Sequence, residues 1–553
     1  MLRSRNFFFA MRDGKFADTY ITHHPGVTTC WLGSIAIWNR FERDSFSKNW
    51  FYSNKFLSPE MLASIRFPIT LVTGILVLVA GILLYRLFGW GTAGFGTLFL
   101  AVEPFLLAES RRAHTDALTS LFLFLSLLLW LCYLESETPR RRDIIFSGIC
   151  FAFACLTKSL AGAFLVFLPF LLGWYLKQHS VPWVKLVWST LLWMMSALIT
   201  VIVAWPHLWI ATFNLWNLPM FPVLFVGSST LLIWSSRKLS TDTPSALTPT
   251  ELFLVGYGLF ITIGGTLSAV EPVIAKMYGA AAYANLIPIL FLGEIRYNPG
   301  MLYFPVMWFV WSMPLTLPLM GVAMCRAWQQ RNQEKKAFRV VVVLGAFALF
   351  YLIGLSFTAK KISRYIVIFL PTVSCLMALG LVQVTHLLQK KRLQALFLVA
   401  VTLLQITPIL RLHPYYRTYY HPLLSGQWVA TNTSSITGAG LDLAADYLNA
   451  LPNAQHLQVQ LSGLFTQDLA QYFVGHTAKR GSTTDPRTDF DYAVEHLYDK
   501  QIQGIPVDPP PRDDIQPSMW QPSQKFSREL EHVVRLNGID YVWIYRILPK
   551  EAP

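Results

Sequence analysis

Apolar runs long enough to cross a bilayer recur from residue 68 to residue 411 and then stop. The pattern places spanning helices near 68–86, 92–109, 115–134, 143–157, 160–176, 184–205, 219–236, 251–270, 301–325, 340–357, 365–386 and 393–411, twelve in all. The 143–157 and 160–176 runs are parted only by Lys158 and Ser159, as a tight hairpin or a kinked pair. Ahead of them, 1–67 reads as a loop outside the bilayer with one short amphipathic helix, Val27 to Phe41, following the break at His24-Pro25-Gly26. Behind them, 412–553 is polar. HLQVQLSG (456–463) alternates as a strand does, FTQDLAQYF follows as a helix, and VVRLNGIDYVWIYR (533–546) reads as a hairpin turning at Asn537-Gly538, the dipeptide favoured by a type I′ turn. PVDPPPRDDIQPSMWQP (506–522) reads as a linker. The expected fold class is thus a polytopic α-helical membrane protein of about 12 helices (68–411) with a C-terminal exoplasmic α/β domain (412–553).

Composition agrees: 54% of the 553 residues are hydrophobic and only 14% charged. A net charge of +14 would suit nucleic acid, but the basic residues are scattered through short loops, so no nucleic-acid partner is expected. Their distribution instead sets orientation. One alternating set of loops carries sixteen Lys and Arg, the other eight, so the first set faces the cytoplasm and both chain ends lie outside. The six cysteines fall almost all in apolar runs, and neither a disulfide framework nor a metal site is expected.

Two features depart from this pattern. Glu109 to Asp116, ESRRAHTD, puts four formal charges and a histidine between two apolar runs, and polar groups at membrane depth or at its rim mark a site. TAKKISRYIVIF (358–369) puts Lys360, Lys361 and Arg364 on the outer side, where cations are depleted. A lipid phosphate is one reason for them, since arginine offers a planar fork and lysine a point charge; helix ends reaching to any headgroup are the other.

Several stretches together resemble one family: HHPGVTTCWLG, ESRRAHTDALTSLF, FACLTKSLAG, AWPHLWI, FLGEIRYNPGMLYFPVMWF, KKISRYIVIFLP, HPYYRTYYHPLLSG and LNGIDYVWIY. They are similar to bacterial members of the protein O-mannosyltransferase and aminoarabinose transferase superfamily, the GT-C glycosyltransferases that use lipid-linked sugars. The resemblance covers nearly the whole chain. It implies inverting transfer of a sugar from a polyprenyl-phosphate donor to a hydroxyl of a protein, glycan or lipid acceptor, on the outer face of the plasma membrane. No further cofactor is implied.

Within that resemblance Asp116 matches an acidic residue at the start of a helix facing the cavity, and His24 matches a His-Pro motif of the first outer loop. Lys360, Lys361, Arg364 and Tyr365 match the basic segment facing the donor phosphate; Arg111, Arg112 and Lys158 are further substrate-binding candidates on the same side. The chemistry asks for a carboxylate to take the acceptor proton and for cations to stabilise the departing phosphate. Members usually open the first outer loop with an Asp-Glu pair, preceded by a transmembrane helix, whose aspartate is the base. Met1 stands just downstream of that place, so the reading frame is expected to begin further upstream; Asp18, with Asp13, is the nearby substitute. Ser363 stands where members commonly carry aspartate. An inactive truncated homologue and a transporter of lipid-linked sugar are the alternatives.

Overall fold

The computed structural model describes residues 2–21, 26–43, 58–178, 182–210, 212–213, 218–219, 288–434, 437–461, 465–479, 490–502 and 528–548. Among these, seven helices are long and apolar enough to cross a membrane, or nine if each of two sharply bent pairs counts as one span. With the 17-residue helix Arg141–Thr157, ten of the twelve expected helices are present. The 251–270 run and nearly all of 219–236 lie outside the described residues, as do 506–522 and His24.

The bends correct two expectations of continuous helices. The 92–109 run is Trp90–Val102 followed by Pro104–Ser110 at 62°, and the 301–325 run is Tyr303–Trp311 followed by Thr316–Gln329 at 107°. A proline lies at each break: Pro104 has no N–H to donate and holds Glu103 extended (φ −66°, ψ 115°), and Pro314 falls between the second pair. The first span also starts earlier than expected, at Pro59, with Ser58 as N-cap, proline at the first position and Glu60 in the first turn. The described part of 1–67 is accordingly more helical than a loop. Leu2–Arg12 is a helix that buries Phe7, Phe8 and Phe9. It packs against Val27–Arg43, the expected amphipathic helix.

The bundle is built around Asp116–Leu134. That helix is apolar on all sides, and every one of its 19 residues is buried. Neighbours approach it closely through small residues. Ser126 Oγ and Ser147 Oγ lie 3.0 Å apart, Trp193 Nε1 donates to Ser147 Oγ at 3.1 Å, and a Cβ at Gly148 would strike the Trp193 carbonyl. At the end expected to face the cytoplasm, two bidentate pairs tie helices together. Arg86 holds Asp143 at 3.0 and 2.6 Å, and Arg339 holds Glu135 at 2.8 and 2.5 Å, with the Tyr175 hydroxyl also donating to Glu135 at 2.7 Å.

The C-terminal segment contains a five-stranded sheet in the order His476–Lys479, Gln458–Leu461, Tyr492–His496, Ile539–Ile547, Arg528–Leu536. The first three strands are parallel and the last two antiparallel. The hairpin turns where expected, with Asn537 (φ 49°) and Gly538 (φ 76°) both in the left-handed region that a type I′ turn requires. This turn docks on the connector after the last span: Asn537 Nδ2 donates to the Thr418 carbonyl at 2.8 Å, and the Tyr420 hydroxyl to the Asn537 carbonyl at 3.0 Å.

Candidate active site

Five chain segments meet at one end of the central helix. The Pro104 bend aims the short helix Pro104–Ser110 so that Glu109, its penultimate residue, is fully buried. The turn 111–115 then reverses into Asp116, which starts the central helix and is 4% exposed. Arg141–Thr157 ends because Lys158 adopts an extended conformation (φ −155°, ψ 130°), which leaves a buried ammonium beside Asp116. Arg364 and Tyr365 come from the 3-10 segment Ser363–Phe369, and Arg417 from the turn Tyr416–Thr418.

Asp116 is the hub. Lys158 Nζ donates to its Oδ1 in a short contact, while His114 Nδ1 lies 2.6 Å and Arg364 Nε 3.4 Å from Oδ2. The Lys158 ammonium also stands 3.9 Å from the Tyr365 ring centroid, a cation–π contact that helps a buried charge. Glu109 forms a second centre, with Arg417 Nη1 at 3.1 Å and Arg112 Nη1 at 3.8 Å from Oε1. Two carboxylates therefore face four cations, and Arg364 and Arg112 keep 30% and 40% of their side chains exposed. Such an excess of positive charge at a partly open mouth suits an anionic ligand. Outside the spans, burial lowers the Arg417 guanidinium to about 10 against the opposing pull of Glu109, and burial lowers His114 against that of Asp116.

Of the residues singled out in the sequence, Asp116, Lys158, Arg364 and Tyr365 converge, and Arg112 lies at the edge through Glu109. Arg111 instead braces the connector: Nη1 donates to the Pro414 carbonyl at 3.2 Å, and the guanidinium lies over the Tyr416 ring. Lys361 turns away, donating to the Ser356 carbonyl at 2.6 Å and so capping the end of Lys335–Phe357, while Lys360 is half-buried nearby. Asp18 is exposed on the turn Phe16–Thr19, which packs on Pro206–Trp209, and among the described residues no ion pair or hydrogen bond joins it to Asp116. The chain just after His24 does reach the site, since Gly26 N donates to the Thr157 carbonyl beside Lys158.

Sequence reasoning gave Glu109 and His114 no individual role and missed Arg417 as a site residue. The first two stood inside the polar island, and Arg417 sat in HPYYRTYYHP, read only as a connector. It also expected no metal, whereas Glu109, His114 and Asp116 each bring a ligand atom to within 4.8 Å of the others. A divalent ion there would have to displace Lys158 and Arg417 from those carboxylates, so the donor set is better matched to the cations already present.

The fold and site define a polytopic membrane protein with a carboxylate–cation centre at a helix mouth. Residues 57–210, which contain Asp116 and Lys158, match the family model described as dolichyl-phosphate-mannose-protein mannosyltransferase. Over that part of the chain the match agrees with the resemblance carried by the motifs. Among solved structures, the chain is similar to the Archaeoglobus fulgidus oligosaccharyltransferase tethered with an acceptor peptide, at 12% identity and TM-score 0.45, with 90% of this chain and 64% of that one covered. This chain thus spans a little under two thirds of that enzyme's length. It is similar also to ArnT from Cupriavidus metallidurans in the apo state and bound to undecaprenyl phosphate, both at 12% identity and TM-score 0.40, with 98% of this chain and 92% of that one covered. No curated protein matches the chain.

Proposed function

We propose that this protein is a membrane glycosyltransferase that moves a sugar from a polyprenyl-phosphate donor to an acceptor hydroxyl at the outer face, inverting the anomeric carbon. The observation that carries the reading is Asp116, buried at the mouth and ringed by Lys158, His114 and Arg364. Arg364, held by one nitrogen and partly exposed, directs its remaining N–H groups to the donor phosphate. Lys158 adds a positive charge held in place by its pairing with Asp116.

The acceptor oxygen attacks C1 of the sugar from the face opposite the phosphate. The C1–O bond breaks, its electron pair leaves with the phosphate, and the hydroxyl proton passes to a base. Within the described residues His114 fits that role. Its Nδ1 lies 2.6 Å from Asp116 Oδ2, a proximity that favours the tautomer with Nε2 as acceptor, and burial favours the neutral ring. Asp116 then orients the base and balances its positive charge after proton transfer. The leaving phosphate needs no acid.

Purified protein in nanodiscs, supplied with polyprenyl-phosphate hexoses and a hydroxyl acceptor or water, tests the reading. Release of polyprenyl phosphate that depends on Asp116 supports it. No release from a folded protein that binds the donor overturns it in favour of a binding or transport role.

A further inference from the structure

A second group of cations lies beside the site but does not serve Asp116. Thr70 Oγ1 donates to the Ser110 carbonyl at 3.4 Å, which fixes the Pro59–Phe88 helix against the end of Pro104–Ser110. Arg66, one turn nearer the helix start, is thereby brought to the 111–112 pair. The charges of Arg111 and Arg112 act on the Arg66 guanidinium, although like charges repel and all three side chains are partly buried.

Their compensation is thin. Glu109 is 3.8 Å from Arg112 and is more closely engaged by Arg417. Arg111 is satisfied by a neutral carbonyl and an aromatic face. Arg66 interacts with the Tyr472 side chain, and its buried Nε has no hydrogen-bond partner among the described residues. Asp468, on the short helix Thr466–Ala470, interacts with Arg66 and Arg112 without an ion pair to either among the described residues. Partly desolvated cations with this little pairing are expected where an anion completes the site.

We propose that Arg66, Arg111 and Arg112, faced by Tyr472 of the C-terminal segment, form a second anion-binding subsite that takes a phosphate ester on the acceptor as a recognition element, distinct from the attacking hydroxyl. The proposal rests on the transferase reading. The donor phosphate is carried on a membrane chain and is met by Arg364. The three arginines instead look toward the C-terminal segment, so a group that reaches them arrives from the aqueous side. Arginine forks bind phosphate oxygens in pairs, and the Tyr472 hydroxyl is positioned to add a further donor.

The same chemistry is offered by a bilayer headgroup, and the experiment separates the two sources. Full-length protein in phosphatidylcholine nanodiscs is titrated with glycerol 3-phosphate, and polyprenyl phosphate binding is measured in parallel. The expected result is that Arg66→Gln weakens glycerol 3-phosphate binding by about tenfold or more, as loss of charged hydrogen bonds implies, and leaves polyprenyl phosphate affinity within about twofold. The intact lipid affinity also certifies the fold of the variant, and Arg66→Lys is expected to restore most of the loss. Unchanged glycerol 3-phosphate binding in the glutamine variant overturns the subsite and leaves the transferase reading standing. Arg364→Gln without effect on polyprenyl phosphate, with the subsite intact, overturns the donor assignment instead. Repeating the titration in nanodiscs containing phosphatidylglycerol decides the source: retained binding supports an acceptor phosphate, and binding lost to competition assigns the arginines to bilayer headgroups and overturns the acceptor role.

Discussion

Replacing Arg364 by glutamine removes a charge from the proposed donor site with little disturbance of what lies beneath. Arg364 Nε is 3.4 Å from Asp116, and the side chain is 30% exposed, whereas Lys158 and His114 both stand closer to that carboxylate. Asp116 therefore stays paired, and the cost to stability is that of a partly exposed ion pair, about 0–1 kcal/mol. Binding is another matter. A hydrogen bond to a charged group contributes about 1.5–3 kcal/mol, so losing one or two to a phosphate, with glutamine recovering part, raises Kd by about 10- to 100-fold. The assay is titration of polyprenyl phosphate into the protein in zwitterionic nanodiscs at two salt concentrations, with thermal unfolding of the same samples. The wild type should lose affinity on adding salt more steeply than the variant, because one charge–charge contact fewer is screened. A Kd within about threefold of the wild type, with an unchanged salt response, refutes the placement of the donor phosphate at Arg364.

Other predictions address the base, the clasp and the sheet. Asp116→Asn should lower turnover by about 100-fold or more through loss of an oriented base, while His114→Gln should remove the acid limb of the pH–rate profile, which for the wild type lies below the ordinary histidine pKa of about 6.5. Arg339→Met, which leaves Glu135 buried beside Tyr175 alone, should destabilise the bundle by about 3–5 kcal/mol in detergent unfolding, and Arg339→Met with Glu135→Leu should recover much of that loss. Burial lowers His496 to about 3. Below about pH 6.5 the unfolded chain takes up a proton there that the folded one does not, so stability of the sheet should fall as pH drops from that value toward about 3, and His496→Asn, which keeps a helix-capping acceptor, should flatten the dependence in a pH series of unfolding curves.

How much of this was legible differs by kind of residue. Helices announced themselves because a span must be apolar throughout, so ten runs were found, all but the first starting within a few residues of the observed helix. The bends were not read, although Pro104 and Pro314 were in view, because apolar continuity carries no information about direction. Pro59 was missed as a start because Arg66 and Pro68 interrupt the hydrophobic pattern above it, despite the capping signal at Ser58 and Glu60. The helix Leu2–Arg12 was hidden because its apolar face is only Phe7 to Ala10 and is completed by a partner helix. Asp116, Lys158, Arg364 and Tyr365 were each legible as polar groups in apolar surroundings. Their pairing was not, since nothing local in HPYYRTYY indicates that Arg417 will neutralise Glu109.

The docking of the hairpin turn on Thr418 bears on the order in which the molecule becomes competent. Arg417 sits one residue before the carbonyl that Asn537 grips, so the position of a site cation depends on a residue made 119 positions after Thr418. During synthesis the helices that carry Glu109, Asp116, Lys158 and Arg364 are inserted while that brace does not yet exist. Arg417 is free to settle elsewhere until the final strand pair closes. Charge balance around Glu109 is then among the last features to be set, and an assembly intermediate lacking the hairpin would leave that buried carboxylate with only the more distant Arg112, recognisably unfinished to any quality-control system that senses poorly paired charge.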